Sequence, residues 1–255
     1  LVTGATGFLG ARILQLLLAQ PCPDNDRVIY ALVRAGDDQE AGQRLIAAAT
    51  ASDREQITGA IKQKRLLPLA GDILSPTFGL STVQYQHLAD TVDCIVHLAA
   101  RVNMVQPYNL LKDDNVTGSL NLARLALTGK SKNMHYASTL SVFVSTDKNT
   151  GRAMESDCLD DTETIWGGYS QSKWIAEVAL RKLSSQSFNL NTYRLGLITG
   201  DTADGTTGSH DFLAMFIRGL RALGCVPQEA LTELGSKLAL DITPVDWAAG
   251  AMAAL

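Results

Sequence analysis

Cysteine and histidine are scarce and dispersed: Cys22, Cys94, Cys158 and Cys225, with His87, His97, His135 and His210, are all that 255 residues contain. No C-x-x-C pair occurs, so neither a disulfide framework nor a redox dithiol is indicated, and a reducing, cytoplasmic compartment suits the pattern. The histidines form no ligand cluster, which argues against zinc and for structural roles. No apolar run reaches the roughly 18 residues that a membrane span needs, and no basic-then-apolar leader opens the chain. Net charge is also small. A formal −4, with 19% charged residues, offers no overall attraction to nucleic acid or to an anionic membrane.

What remains is a globular composition, 46% hydrophobic, long enough to bury a sizeable core. Apolar runs of strand length alternate with helical patterns, the signature of a parallel sheet covered by helices on both faces. "RVIYALVR" reads as the second strand, "LLPLAGDI" as the third, "VDCIVHLAA" as the fourth and "NMHYASTLSV" as the fifth. "YSQSKWIAEVALRKL" reads as a long amphipathic helix and "NTYRLGLITG" as one further strand. "GDTADGTTGS" reads as a mobile loop. "LVTGATGFLG" meets its first glycine after three residues and "AGAMAAL" stops inside a helical pattern, so both ends look cut from a longer multidomain polypeptide. The expected division is a dinucleotide-binding domain over 1–200 and, over 201–255, the beginning of a substrate-binding region interleaved with the core.

Gly4, Gly7 and Gly10 follow a strand and open a helix. Such a loop turns tightly, lets backbone approach a diphosphate, and offers it the unpaired N–H groups of a helix N-terminus. This predicts a Rossmann-type doubly wound sheet. An acidic residue ending the second strand would suit NAD, whereas arginine suits the extra phosphate of NADP. Here the strand ends in Arg34, Arg44 follows ten residues later, and Asp37 and Asp38 lie in the loop beyond. NADPH is therefore the expected cofactor, with forked hydrogen bonds from the guanidiniums. Asp72 and Ile73 should lie beside the adenine.

Tyr169 and Lys173, at i and i+4, share a helix face. An ammonium beside a phenol is expected to lower the tyrosine pKa and let it exchange a proton with a carbonyl oxygen. Ser138 and Thr139 end the fifth strand, where a hydroxyl can support the same oxygen as charge develops on it. The spacing alone is common on helices. The ordered set of glycine loop, strand-end hydroxyl and Tyr/Lys pair carries the signal.

These residues resemble the extended short-chain dehydrogenase/reductase superfamily, through "TGATGFLG", "GDI", "HLAA", "YAST" and "YSQSK". "VHLAARVNMVQPYNLLKDDNVTGSLNL", "YRLGLITGDTADG" and "LDITPVDWAAGAMAAL" resemble one branch of it. That branch is the thioester reductase, or male-sterility-type NAD-binding, domain of nonribosomal peptide synthetases, polyketide synthases, carboxylic acid reductases and fatty acyl-CoA reductases. The resemblance implies Thr139, Tyr169 and Lys173 as catalytic triad, Lys173 and Tyr169 also touching the cofactor. Thr6, Phe8 and Leu9 of the glycine loop, Ala99, Ala100 and Ser138 are implied at the cofactor, and Asn115 as a support of the active-site backbone.

The implied reaction is reduction of an acyl or peptidyl thioester, carried on a phosphopantetheine carrier protein or on coenzyme A, to an aldehyde or alcohol. Leu195 stands where the superfamily often has proline, which should loosen a loop near the nicotinamide. "KQKR", residues 62–65, is the densest basic run, but it precedes the third strand and reads as a solvated helix end. Cys94 reads as core packing. Two alternatives are an NAD-dependent sugar-nucleotide epimerase or dehydratase and a non-catalytic NADPH-binding sensor. Arg34 argues against the first, the intact Thr139, Tyr169 and Lys173 against the second.

Overall fold

In a computed structural model of the chain, residues 1–21, 27–143, 153–157, 159, 165–208, 211–226 and 241–254 are described. Cys22, Cys158 and His210 lie outside them.

Six strands form one parallel sheet: β1 (Val2–Thr3), β2 (Ile29–Val33), β3 (Leu66–Ala70), β4 (Cys94–His97), β5 (Asn133–Thr139) and β6 (Asn189–Leu195). Their spatial order is 3-2-1-4-5-6, with every neighbour parallel. The order reverses between β1 and β4, which opens a crevice beyond their C-terminal ends. The helices between strands are α1 (Phe8–Ala19), α2 (Asp38–Ala48), α3 (Arg54–Lys62), α4 (Thr82–Thr91), α5 (Gly118–Leu127) and α6 (Gly168–Ser187).

The two faces of the sheet are sealed separately. Leu14, Leu45, Ile57 and Leu66 close one layer, while Leu88, Leu122, Met134 and Leu180 close the other. Burying a side chain of this size contributes about 1.5–3 kcal/mol. α1 shows why its sequence folds so: Ile13, Leu14 and Leu18 fall on one helical face and are all buried.

The final strand is two strands. β6 ends at Leu195 and β7 (Leu197–Thr199) leaves the main sheet to pair with β8 (Ile242–Pro244). The break falls at Gly196, where a Cβ would stand 2.9 Å from the Asp241 carboxylate. α7 (Phe212–Leu223) precedes β8, and α8 (Val245–Ala254) returns to the core, Ala249 and Met252 packing against Ile13 of α1. The segment expected to be a mobile loop is tied down at its first turn, with Asp201 held by Arg12 at 3.2 Å and Thr202 by Asp246.

The fifth strand is shorter than its apolar run, because β5 stops at Thr139 and Leu140–Phe143 make a 3-10 turn. The basic run 62–65 sits at the N-terminal end of β3, away from the crevice. Among the described residues no helix is long and apolar enough to cross a membrane, and no group of three or more His, Cys, Asp or Glu could hold a metal ion.

Candidate active site and cofactor cleft

β1 gives way at Gly4 to the turn that enters α1. Gly4 has φ of 73°, and a Cβ there would lie 2.6 Å from the backbone N of Ala99, so the left-handed turn and the close strand end both demand glycine. The Gly7 N–H donates to Gly4 O at 2.9 Å, and α1 begins at Phe8 with no side-chain cap and no acidic residue in its first turn. The helix thus presents its partial positive end to the crevice.

A cavity of about 270 Å³ opens there. Gly4, Thr6, Gly7, Arg34, Arg44, Asp72, Ile73, Ala99 and Ala100 all line it, as do Thr3, Arg101 and Asp114, which sequence reasoning missed. Leu9 turns toward the core beside Ile13, and Gly10 is buried in the first turn of α1. The cradle closed by Gly4 and the uncapped helix fit a dinucleotide diphosphate.

The end of β2 shows how charge is distributed around that cavity. Asp37 Oδ1 accepts from Glu40 N, Asp38 Oδ1 from Ala70 N, and Glu40 Oε2 from Gly36 N, each at 2.7 Å. All three carboxylates are occupied by backbone N–H groups. Arg44 donates to the backbone O of Arg34, while the Arg34 side chain, 68% exposed, reaches Asp114 at 3.7 Å. Asp114 also pairs with Arg101 at 3.6 Å. Asp72 lines the cavity while its Oδ1 accepts from Leu74 N at 3.0 Å, which fixes the turn after β3.

Asn115 lies in a π-helical turn (Asp113–Thr117) that leads into α5, and is buried. Its Oδ1 accepts from Arg101 N at 2.7 Å, and its Nδ2 donates to Arg101 O at 3.1 Å and to Ser172 Oγ at 2.8 Å. One amide therefore clamps the cleft segment after β4 to the helix that carries Tyr169. π-turns of this kind are frequent at functional sites.

α6 buries Ser172, Lys173, Ala176, Glu177 and Leu180 on one face. Lys173, 3% exposed, donates from Nζ to Ala137 O at 2.6 Å and lies 4.1 Å from the centre of the Tyr136 ring. Burial lowers its pKa to about 7, against an opposing pull from Glu177. Tyr169 stands one turn earlier on the same helix. Its pKa is not lowered as expected: burial pushes it up to about 12. Loss of hydration is the cause, and the Lys173 Nζ is turned to the Ala137 carbonyl and the Tyr136 ring.

Thr139 ends β5, its Oγ1 3.0 Å from Ser141 Oγ. Ser138, expected at the cofactor, turns its side chain elsewhere. Side chains alternate along a strand, and Ser138 Oγ points into the interior, donating to Glu177 Oε2 at 2.6 Å. At the end of β4, His97 is buried between Thr3 Oγ1 (2.8 Å) and Ser119 Oγ (2.9 Å). Its pKa falls to about 3, through burial and then the Lys173 charge.

Beside this glycine cradle and Tyr/Lys helix stands a family match: the family model described as male sterility protein matches residues 2–252. The chain belongs to that family. It is an NAD(P)-binding, Rossmann-like domain of the oxidoreductase class. It is 36% identical over 249 residues to a linear gramicidin synthase of Brevibacillus parabrevis, covering 97% of this chain and 5% of that protein. To L-2-aminoadipate reductase of Saccharomyces cerevisiae it is 35% identical over 239 residues, 89% of this chain and 17% of the other. The terminal R domain of the myxalamid PKS-NRPS biosynthetic pathway superposes with a TM-score of 0.84 at 33% identity, over 98% of this chain and 60% of that one. The chain thus spans only a small part of these curated relatives.

Where the short-chain dehydrogenase/reductase superfamily often has proline, Leu195 does not loosen the structure as expected. It is the last residue of β6, in register with Thr139, and packs beside Ile13 and Met252. Leucine keeps the N–H that proline lacks, so the strand can run on to this point. Tyr136, Glu177 and Arg194 escaped the sequence reading. Glu177 had left a signal, since Tyr169, Lys173 and Glu177 recur every four residues on one helical face.

Proposed function

We propose that this domain reduces an acyl or peptidyl thioester, held on a phosphopantetheine carrier protein or on coenzyme A, and releases an aldehyde or alcohol. The observation that carries the reading is the convergence of α6, with Tyr169 and buried Lys173, on the end of β5, in a fold whose glycine loop, Arg34 and Arg44 line a cleft at the strand ends. The relatives' names, a gramicidin synthase, an aminoadipate reductase and a terminal R domain, support it. The alternative, a sugar-nucleotide epimerase using NAD, lacks its acidic residue: β2 ends beside Arg34, and the nearby carboxylates are engaged by backbone.

NADPH is the cofactor this site suits. Bound in the cleft, it would supply a hydride to the thioester carbonyl carbon. Gly4, Gly7 and the α1 N-terminus would hold its diphosphate, Arg34 and Arg44 its extra phosphate, and Asp72, Ile73, Ala99 and Ala100 the walls around it. Thr139 donates a hydrogen bond to the thioester carbonyl oxygen as negative charge gathers there. Tyr169, kept protonated by burial, gives its proton to that oxygen, and Lys173 stabilises the phenolate left behind. The resulting hemithioacetal returns its hydroxyl proton to Tyr169 as the C–S bond breaks, and the departing thiolate takes a proton from solvent. A second reduction of the aldehyde would give the alcohol.

The test is NADPH and NADH oxidation by the full-length protein with an acyl thioester, beside Tyr169→Phe. Thioester-dependent NADPH oxidation that forms aldehyde or alcohol, and is lost in the variant, is the expected result. Consumption of neither cofactor, with bound NAD released on denaturation, would overturn the reading.

A further inference from the structure

Glu177 lies one turn beyond Lys173 and is 0% exposed. Its two carboxylate oxygens are divided between neighbours on different strands. Oε2 accepts from Ser138 Oγ at 2.6 Å, next to Thr139 at the end of β5. Oε1 accepts from both Arg194 Nε (3.0 Å) and Nη2 (2.7 Å), near the end of β6. Arg181, one turn further along α6, adds a looser contact at 3.5 Å. The Arg194 guanidinium in turn lies 4.5 Å from the centre of the Phe143 ring, in the turn that follows Thr139.

A carboxylate is retained in such a dry place only with full pairing. The arrangement fixes α6, β5 and β6 relative to one another at the level of the reacting groups. It also sets the charge balance around Lys173. The groups around that ammonium are Glu177 from its own helix, Tyr136 from β5 and His97 from β4. Glu177 supplies the negative charge that opposes the loss of hydration.

We propose that Glu177 is a positioning residue of the reduction: through Ser138 and Arg194 it sets α6, which carries Tyr169 and Lys173, against the ends of β5 and β6, and it places a negative charge one turn from Lys173. The proposal rests on the thioester-reductase reading for its kinetic consequence only. Tyr169, Lys173 and Thr139 touch the reacting atoms, and Glu177 acts through them.

The experiment compares full-length wild type, Glu177→Gln and Glu177→Asp by two readouts. The first is kcat for NADPH oxidation with an acyl thioester across pH. The second, which needs neither substrate nor cofactor, is the pH dependence of competitive lysine acylation at Lys173, read by mass spectrometry of its peptide. In E177Q the labelling midpoint should fall by about one pH unit or more, and kcat roughly ten- to a hundredfold. E177D should recover most of both. Equal labelling midpoints in wild type and E177Q, with only thermal stability altered, would overturn the proposal. If wild type shows no thioester-dependent oxidation, the reductase reading fails, and the labelling midpoints still decide whether Glu177 holds the Lys173 charge.

Discussion

The Lys173 ammonium lies 4.1 Å from the centre of the Tyr136 ring, inside the fold. The ring face, the Ala137 carbonyl and Glu177 are what this buried cation has in place of water. A desolvated cation over an aromatic face gains about 2 kcal/mol. Tyr136→Leu should therefore lower the Lys173 pKa below its value of about 7 and reduce kcat at neutral pH. Tyr136→Phe keeps the ring and should retain most of the rate. Equal loss in both variants, measured as kcat against pH, would show that the hydroxyl matters rather than the ring.

His97 gives a stability prediction with a defined sign. Its folded pKa, about 3, lies below the ordinary 6.5. The unfolded chain therefore binds a proton that the folded chain refuses throughout that window. The contribution is present above pH 6.5 and is lost as pH falls toward 3, by at most about 1.4 kcal/mol per pH unit. Urea unfolding at about pH 7 and about pH 5 should show a smaller difference in His97→Gln than in wild type. The same difference in both would assign the acid sensitivity elsewhere.

The first turn of α1 packs directly on the backbone of the glycine loop. A Cβ on Gly10 would lie 2.0 Å from Gly4 O, closer than any real contact. The obstructing atom is backbone, so the loop itself must move. Gly10→Ala is expected to abolish NADPH binding, measured by cofactor fluorescence, and to lower the melting temperature. Unchanged affinity would mean that the diphosphate is held elsewhere.

Much of the cleft was legible in the sequence because a strand, a glycine turn and a helix are contiguous. Gly4, Arg34, Asp72 and Ala99 each follow a strand end, Gly7 caps the helix after the first, and the parallel order of the strands brings those ends together. The Glu177 cluster was not legible in this way. Ser138 and Arg194 meet it through the packing of α6 on two strands, and no local pattern announces such a meeting. The direction of the Tyr169 shift was misread for a related reason. Spacing shows that a lysine is near, but burial depends on everything packed around the pair, and here burial dominates. The break at Gly196 escaped too, because "NTYRLGLITG" reads as one continuous strand while the second sheet depends on Asp241 and β8, more than forty residues on.

Cofactor choice follows from the same cleft. Asp37, Asp38 and Glu40 each have one carboxylate oxygen engaged by a backbone N–H, and none of the three lines the cavity where the hydroxyls of an unphosphorylated ribose would lie. Arg34 and Arg44 line the wall, together with Arg101, Asp72 and Asp114. Arg34 is held only loosely by Asp114, at 3.7 Å and largely exposed, so a phosphate can draw it away at little cost. A hydrogen bond to a charged group contributes about 1.5–3 kcal/mol, or roughly ten- to a hundredfold in affinity. Arg34→Ala should raise KM for NADPH by that factor while leaving KM for NADH nearly unchanged. Arg44→Ala should do so to a similar or smaller degree, because one of its donors already serves the Arg34 carbonyl. Steady-state kinetics with both cofactors decide the matter. Parallel losses for NADPH and NADH would place these arginines on the shared diphosphate and would remove the basis of the proposed NADPH preference.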